Sequence, residues 1–309
     1  MKSLFARFAR RREEPAREPI GLPRAVFYFL HPGLWEAFFQ SLGVPVVVSA
    51  PTSRPTLERA GLISETEHCL PVKILDAHLD ALAGKVGRVF VPRILSQRRG
   101  YIACPKLAAL PDAVRAQFGD RFEVVTIDVD ERRQPLGRTL EELAQRLGFG
   151  GAEAETAARA ALRAWSAAET AMAESRPAGA GKRYWLIGHP YNLEDEYMSE
   201  MVWRKMAALG ALVERMTFSG PLDGAGPLRW DASAHMLKRL QSAKAEHVEG
   251  VIQLTSFNCG CDSMASVYYR ETLKAAGIPY MALTLDAHSA QAGLETRLEA
   301  FVDSIGGAS

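Results

Sequence analysis

Four cysteines are the residues of this 309-residue chain whose type and placement could do chemistry together. Each stands in a polar turn beside a predicted helix start: Cys69, Cys104, Cys259 and Cys261. Thiolates are nucleophiles and soft metal ligands, and the positive end of a helix dipole favours them. Cysteines that only fill a core behave as small apolar side chains and lie on apolar faces. We therefore expect three or four of these thiolates to converge on one metal centre.

The turns around the cysteines share a local pattern. Residues 69–73 (CLPVK) and 104–106 (CPK) each place a proline in the first turn of a predicted helix, where its missing N–H costs nothing. Residues 259–261 (CGC) follow the apolar run 251–254 and precede a segment of helical spacing, 264–276. Such strand-to-helix junctions are where open α/β sheets bind their ligands.

Three chemistries compete for these thiolates. Structural zinc sites pair ligands two to four residues apart, and only Cys259 and Cys261 are close in this chain. A catalytic nucleophile would explain one cysteine and leave three. Iron–sulfur ligation by single cysteines from separate loops fits the pattern better, although the spacing is not the C-x₂-C-x₂-C run of ferredoxins. Zinc stays open as the alternative.

The elements that must position these turns alternate along the chain, as short apolar runs and 3.6-residue periodicity indicate. The predicted strands are 25–30, 44–49, 88–92, 122–128, 184–187, 211–216, 251–254 and 278–285. The predicted helices are 34–42, 71–84, 139–147, 151–176, 196–209, 232–245, 264–276 and 293–305. This alternation predicts an α/β protein of two doubly wound, Rossmann- or flavodoxin-like domains with an interdomain cleft.

Composition predicts where these domains begin and end. The predicted segments are a disordered basic arm (1–18), an N-terminal α/β domain (19–150), a linker helix (151–180) and a C-terminal α/β domain (181–309). The arm is rich in charge, and an amphipathic surface helix with Leu4, Phe5 and Phe8 on its apolar face is the alternative. The linker is rich in alanine and ends at the sequence PAGAG.

Composition also narrows the function. A formal net charge of +1 gives no electrostatic reason to expect nucleic acid binding. No apolar run approaches the roughly 20 residues of a membrane span. The first residues lack the apolar segment and cleavage site of a signal peptide, so we expect the protein to stay in the cytoplasm. The cytoplasm is reducing, and cysteines in turns there serve as metal ligands or catalytic groups rather than as disulfides.

The only segment that suggests a phosphate loop fails the pattern. Gly181 and Lys182 are adjacent, but Arg176 stands at the position of the first glycine and Arg183 where Ser or Thr must follow the lysine. The chain also lacks a G-x-G-x-x-G sequence. We therefore expect no ATP hydrolysis by this chain itself.

Seven short motifs, in order, resemble those of the 2-hydroxyacyl-CoA dehydratase and benzoyl-CoA reductase superfamily. The resemblance is greatest to single-chain proteins related to the dehydratase activase system, and it spans residues 20–305. The motifs are 20–24 (IGLPR), 67–73 (EHCLPVK), 103–106 (ACPK), 188–192 (GHPYN), 257–260 (FNCG), 286–288 (DAH) and 293–301 (GLETRLEAF).

This resemblance implies two Rossmann-like domains that hold a 4Fe–4S cluster through Cys69, Cys104 and Cys259. It also implies an electron donor, a separate activase ATPase that is itself an iron–sulfur protein. A homologous second subunit or a second copy of the chain is the other expected partner. The implied function is the cluster-bearing component of an ATP-dependent reductase or dehydratase that acts on an acyl-CoA-like substrate.

Further site residues are expected around the cluster, because they follow a ligand cysteine or end a strand at the cleft. The candidates for catalysis are His189, Tyr191 and His288. The additional candidates for cofactor binding are Cys261, Lys73 and Asn192. Lys106 follows Cys104 as Lys73 follows Cys69, so it is a further candidate near the cluster. Arg297 either contributes to the site or forms a structural ion pair with Glu299 or Asp286.

The chain departs from the resembled pattern at two places. Cys261 stands where relatives carry Pro or Leu, which leaves open a fourth ligand, a ligand to a larger cluster, or a bystander. Gly260 could take the strained backbone that a tight Cys-Gly-Cys chelate needs. Asp262 and Ser263, however, predict an N-cap before Met264 and so place Cys261 at the outer edge of the turn. We favour Cys261 as a neighbour of the cluster or an alternative ligand. The second departure is the DAH motif, where the family has Asp-Glu-His.

A function of another class remains open beside the enzyme. The chain could be a non-catalytic iron–sulfur scaffold or electron-transfer protein, including one with a larger, double-cubane-type cluster. A pocket deep enough for an acyl thioester beside the cluster would favour the enzyme. A shallow cleft filled by side chains would favour the carrier.

Overall fold

A computed structural model describes residues 17–174, 181–216, 218, 222, 226–286 and 291–306. Of the basic arm predicted over 1–18, residues 1–16 lie outside this described part. Arg17 is described: its guanidinium donates to the carbonyl oxygen of Leu42 and lies 4.1 Å from the centre of the Phe149 ring. Below, the N-terminal half means the described residues up to 174, and the C-terminal half those from 181 onward.

The N-terminal half is built on a four-stranded parallel sheet with the strand order β2-β1-β3-β5. Its strands, with a two-stranded parallel extension formed by β4 and β6, are β1 (Ile20–Leu22), β2 (Val46–Val48), β3 (Arg88–Phe90), β4 (Arg93–Ser96), β5 (Glu123–Val125) and β6 (Asp128–Asp130). Pro92 separates β3 from β4 because it has no N–H to donate. Backbone bonds from Val91 to Val125 and from Arg93 to Ile127 carry the ladder across this gap.

Seven helices are described in this half of the chain. They are α1 (Phe27–Leu30), α2 (Leu34–Ser41), α3 (Arg54–Ile63), α4 (Leu70–Leu82), α5 (Pro105–Phe118), α6 (Leu136–Arg146) and α7 (Gly151–Glu174). Proline stands in the first turn of α4 and of α5, as predicted. Gly43 has a φ of 66° just after α2 and ends that helix in the left-handed region.

The C-terminal half repeats the same plan. Its strands are β7 (Arg183–Gly188), β8 (Leu212–Arg215), β9 (Gly250–Ser256) and β10 (Tyr280–Leu285), all parallel and in the order β10-β9-β7-β8. Its helices are α8 (Pro190–Leu193), α9 (Glu196–Ala208), α10 (Asp231–Leu240), α11 (Gly260–Ala276) and α12 (Gln291–Gly306). β9 is buried along its whole length, as expected of the continuous apolar run of a central parallel strand.

Both sheets have the doubly wound order in which the first strand lies between the second and the third. This confirms the predicted α/β fold class. In such sheets ligands bind outside the carboxyl ends of the strands, where the strand order reverses. In the C-terminal half that point lies between β7 and β9, and the GHPYN and CGC turns follow those two strands.

One predicted strand is wrong. Residues 25–30 were expected to form the first strand, but β1 is Ile20–Leu22 and Phe27–Leu30 form the short helix α1. β1 pairs on both sides, so Pro23 directly after it cannot extend a central strand. A buried apolar run of six residues does not distinguish a strand from a buried helix.

The predicted strand 122–128 is also corrected, because it is split in two. β5 pairs with β3, whereas β6 pairs with β4 in the extension. The long alanine-rich helix is present as α7, and it packs against α2 and α6 of the N-terminal half. The predicted domain boundaries stay a prediction.

A chain of buried polar side chains joins the two halves. The His78 ring lies between two hydroxyls, with Nδ1 2.8 Å from Ser49 Oγ and Nε2 3.1 Å from Thr52 Oγ1. Thr52 also donates to the carboxylate of Asp195, which caps α9 of the C-terminal half. Buried polar groups that are hydrogen-bonded in this way fix one relative placement of the elements that carry them.

Among the helices of the described residues, none is both long and apolar enough to cross a bilayer.

Candidate metal centre

Three cysteines occupy the same position of three different helices. Cys69 is the N-cap of α4, Cys104 of α5 and Cys259 of α11, and His189 is the N-cap of the short helix α8. The first backbone N–H groups of a helix have no partner inside it and carry the positive end of its dipole. The sequence therefore places three sulfur atoms where negative charge is favoured.

Cys104 and Cys259 lie within electrostatic reach of both other cysteines. Cys259 and Cys104 both act on the Cys69 thiol, and the same two cysteines act on Cys261. Burial raises the pKa of Cys69 to about 11, and the nearby Lys106 ammonium works against that shift. The structure thus brings together the four thiols that the turn pattern singled out, two from each half.

Cys104 and Cys261 affect each other's ionisation across the two halves. The Cys261 thiol lowers the pKa of Cys104 to about 6, and Cys104 together with burial raises the pKa of Cys261 above its usual value. Backbone N–H groups of Lys106 and Leu107 at the start of α5 also lower the pKa of Cys104, whereas its burial raises that pKa. Cys104 is therefore the thiol of this pair that ionises first.

A buried acid–base pair lies beside Cys259. The Nε2 atom of His189 is 3.1 Å from Oδ1 of Asp262, and the Cys259 sulfur is within 4.8 Å of both donor atoms. Burial opposes charge on both groups, but each holds the other ionised. The pKa of His189 therefore lies well above its usual 6.5, and the pKa of Asp262 lies below its usual 3.8. Thr255 donates to the other Asp262 oxygen at 2.6 Å.

Tyr191 packs against His189, and Asn192 is hydrogen-bonded to β9. The Tyr191 ring stacks on the His189 ring with centroids 5.0 Å apart, and burial together with the Cys259 charge raises its pKa well above 10.0. The Asn192 amide donates to the Leu254 carbonyl at 3.3 Å and accepts from Ser256 Oγ at 2.9 Å. Asn192 is thus engaged with β9, and it positions the turn that carries Cys259.

The remaining predicted site residues differ in position and in contacts. Lys106 donates to the Glu67 carbonyl at 2.8 Å and lies close enough to Cys69 to oppose the rise in its pKa. Lys73 is half-buried on α4, and its ammonium makes no ion pair with a described residue. Arg297 donates to the Ala282 carbonyl at 2.7 Å, which makes it a brace between α12 and β10. His288 lies outside the described residues.

The start of α11 corrects the predicted N-cap and the place of Cys261. The helix begins at Gly260, with Cys259 as its N-cap, so Asp262 and Ser263 lie inside its first turn. Cys261 is therefore not at the outer edge of the turn and is only 4% exposed. The residue of this turn with a positive φ is Asn258, at 61°, rather than Gly260.

Asp262 is a candidate site residue that the sequence predicts only as a helix cap. It is 1% exposed and faces His189 and Thr255. A carboxylate three residues after Cys259 is the available signal, since a helix that starts at the cysteine turns this side chain back toward the candidate site.

The donor set suits a soft or borderline metal. Thiolates and imidazole are the ligands that zinc and iron–sulfur centres use, whereas magnesium and calcium prefer oxygen. His189 Nε2 and Asp262 Oδ1 are buried without an aligned hydrogen-bond partner among the described residues, although they face each other. Cys259, the N-cap of α11, lies beside them, and the N-terminus of that helix adds positive potential.

A small cavity adjoins the site on the side of α8. It is lined by Trp165, Pro190, Phe218, Asp231 and His235, among others, and has a volume of about 60 Å³. Burial raises the pKa of Asp231, and the nearby His189 charge opposes that rise. A volume of this size suits one or two water molecules, whereas ligand pockets usually span about 300–1,000 Å³.

The glycine at the end of β7 sets how closely the His189 turn approaches β9. A Cβ atom at Gly188 would lie 2.5 Å from the Leu254 carbonyl oxygen and 3.2 Å from the Leu193 side chain. Gly188→Ala is therefore expected to lower the free energy of unfolding by about 1–3 kcal/mol, measured by chemical denaturation. The matched control is Gly260→Ala, whose Cβ would meet nothing within 4 Å. An equal loss in both variants would contradict the steric argument.

Comparisons with known families agree with the resemblance drawn from the seven motifs. The model of the CoA enzyme activase uncharacterised domain matches residues 19–217, and that of the 2-hydroxyglutaryl-CoA dehydratase D-component matches residues 181–305. No curated protein sequence matches the chain significantly. Among solved structures, a crystal structure of ZnuA is matched with 9% identity and a TM-score of 0.28, covering 94% of this chain and 99% of that one.

Proposed function

We propose that this chain, which belongs to the family of the CoA enzyme activase uncharacterised domain, holds an iron–sulfur cluster through Cys69, Cys104 and Cys259. The observation that supports this most directly is the shared N-cap position of the three cysteines on α4, α5 and α11. The matched families belong to dehydratase and activase systems, so the role is that of a dehydratase component or an activase-related protein.

When bound, a cluster held by Cys69, Cys104 and Cys259 would supply one-electron transfer and Lewis-acid chemistry. The residues of this chain provide its surroundings. The N-termini of α4, α5 and α11 favour the negative charge of the thiolates. His189, charged and paired with Asp262, offers a proton near Cys259, and Tyr191 keeps its hydroxyl protonated at neutral pH because its pKa is well above 10.0.

We further propose that the electron comes from a separate activase ATPase, since the sequence of residues 176–183 does not match the phosphate-loop pattern. A second copy of the chain or a homologous subunit is the other partner in this proposal. The substrate in the catalytic case is an acyl thioester, as the description of the matched dehydratase component suggests.

One observation favours the carrier function over the enzyme. The cavity beside α8 has a volume of about 60 Å³, far below the volume that an acyl thioester needs. The aromatic side chains of Trp165 and Phe218 are among those that line it. A non-catalytic scaffold or electron-transfer protein would need no larger pocket next to its cluster, so this is the second candidate.

The experiment that tests the proposal is anaerobic reconstitution with ferrous iron and sulfide, followed by metal and sulfide analysis and EPR after reduction. About four iron and four sulfide per chain, with the EPR signal of a reduced cluster, is the expected result. A variant with Cys69, Cys104 and Cys259 all changed to serine is the control. Iron or zinc bound without sulfide would instead indicate a mononuclear site and refute the cluster.

A further inference from the structure

A histidine, a cysteine and an aspartate meet at the carboxyl ends of two neighbouring strands. The Nε2 atom of His189, the Cys259 sulfur and one carboxylate oxygen of Asp262 all lie within 4.8 Å of one another. His189 begins α8 after β7, whereas the other two residues stand at the start of α11 after β9. Because β7 and β9 pair in parallel, their ends bring these side chains together. The whole group therefore comes from the C-terminal half.

Two atoms of this group are buried without an aligned partner. His189 is 5% exposed and Asp262 is 1% exposed. The Nε2 atom of His189 and the Oδ1 atom of Asp262 make no aligned hydrogen bond within the described part of the chain, although they are 3.1 Å apart. Buried polar atoms almost always have a partner, and a bound ion or water supplies it where the protein does not. A cation that both atoms ligate would satisfy them together.

We propose that His189, Cys259 and Asp262 bind one borderline divalent cation, Zn²⁺ or Fe²⁺, when no sulfide is present to build a cluster. Thiolate and imidazole are ligands that these ions accept, whereas Mg²⁺ and Ca²⁺ prefer oxygen. The thiolate and the carboxylate balance the two positive charges of the ion, and the imidazole binds as a neutral ring. The loaded site is therefore neutral, which suits its burial. On binding, the metal replaces the protons of the thiol and of Nε2, and these protons pass to solvent.

The distances come close to those of a tetrahedral site. Bonds of about 2.0–2.2 Å to nitrogen and oxygen and about 2.3 Å to sulfur separate the ligand atoms by about 3.3–3.6 Å. The imidazole and carboxylate atoms are already 3.1 Å apart, and the Cys259 sulfur has to move by about 1 Å at most to reach that geometry. Contacts around the ligands hold them in place: Thr255 donates to the other Asp262 oxygen at 2.6 Å, and the Tyr191 ring stacks on His189. Such outer contacts orient metal ligands.

This site does not rest on the proposed function, because it needs neither sulfide nor the cysteines of the N-terminal half. Cys259 belongs to both sites, so a single ion and a cluster exclude each other. Three protein ligands leave the fourth position of a tetrahedral ion to water, as in zinc sites that carry out catalysis. Cluster uptake in the presence of sulfide depends on Cys69 and Cys104, so the two proposals fail independently.

The test titrates the metal-free, reduced, full-length chain anaerobically with Co²⁺ and then with Zn²⁺, and no sulfide is added. Co²⁺ substitutes for Zn²⁺ and reports a thiolate ligand through a charge-transfer band in the near ultraviolet. We expect one Co²⁺ per chain, displaced by Zn²⁺. His189→Gln and Asp262→Asn should each weaken Zn²⁺ binding more than about 100-fold, since the loss of an outer contact alone costs about 10–100-fold. Thr255→Val removes such an outer contact and should fall within that smaller range. His247→Asn, at an exposed residue, is the control and should leave the affinity unchanged.

X-ray absorption at the zinc edge of the wild-type protein decides the matter even if a variant fails to fold. One sulfur neighbour at about 2.3 Å with two or three nitrogen or oxygen neighbours at about 2.0–2.1 Å is the expected result. Two or more sulfur neighbours would overturn the proposal, because further cysteines would then hold the ion. So would a wild type that binds no Co²⁺, or an affinity for Zn²⁺ that is unchanged in His189→Gln or Asp262→Asn. A loss in Cys69→Ser or Cys104→Ser as large as that in His189→Gln would also overturn it.

Discussion

Anaerobically reconstituted Cys259→Ser protein is expected to lose most of the iron that the wild type binds, whereas Cys261→Ser should retain it with an altered EPR signal. Cys259 occupies the N-cap of α11, as Cys69 and Cys104 do in α4 and α5. Cys261 lies two residues further into α11, is buried, and lowers the pKa of Cys104. Its removal changes the electrostatic surroundings of a proposed ligand, and the surroundings of the cluster set its properties.

The two variants control for each other, since both replace a thiol by a hydroxyl in one turn of one helix. Iron, acid-labile sulfide and EPR are measured on each, with circular dichroism to establish that both are folded. Equal loss of iron in the two variants would make Cys261 a full ligand. It would also indicate a four-cysteine or larger cluster instead of the three-cysteine one.

Much of this site was accessible from the sequence because its signals are local. A cysteine followed by proline at a helix start needs only the chain before and after it, and α4 and α5 begin where the prolines predict. The strand β9 and the turn after it are equally local. The order of strands follows from the alternation of strands and helices, which is why the doubly wound fold class could be predicted.

The parts that escaped prediction depend on contacts between distant segments. Nothing in residues 259–263 indicates that His189, some 70 residues earlier, lies 3.1 Å from Asp262. The effect of Cys261 on the pKa of Cys104 likewise needs both halves in place. The strand predicted for residues 25–30 was wrong for another reason. An apolar run indicates burial, and burial alone does not distinguish a strand from a helix.

Buried imidazoles away from the proposed ligands point to a second large effect, on acid stability. His31, His78 and His235 are 2%, 2% and 5% exposed. Burial lowers the pKa of each from 6.5 to about 4, with Arg24 adding to the shift at His78 and Arg98 at His235. In the unfolded chain these rings return to the usual value, so the unfolded state binds more protons as the pH falls from 6.5 toward 4. Stability is therefore full above pH 6.5 and is lost through that window.

The size of the effect follows from the linkage relation. At pH 5, each such histidine is expected to cost about 2 kcal/mol relative to pH 8, and three together about 6 kcal/mol. Domains are stable by only about 5–15 kcal/mol, so this loss is a large share of the total. Buried carboxyls with raised pKa values, such as Asp76 and Asp195, act in the opposite sense because the folded state then binds their protons more readily.

His31 allows one imidazole to be isolated from these opposing groups. Its ring lies between Trp35 and Trp165, with centroids 5.6 and 5.0 Å away, and its Nδ1 has no hydrogen-bond partner among the described residues. His31→Phe keeps an aromatic ring there and removes the titration. Denaturant unfolding at pH 8 and pH 5 should show about 2 kcal/mol less acid destabilisation in this variant than in the wild type. The control is His247→Asn, at an exposed residue whose φ of 55° asparagine tolerates. A pH dependence that is the same in all three proteins would mean that His31 is not held neutral by burial.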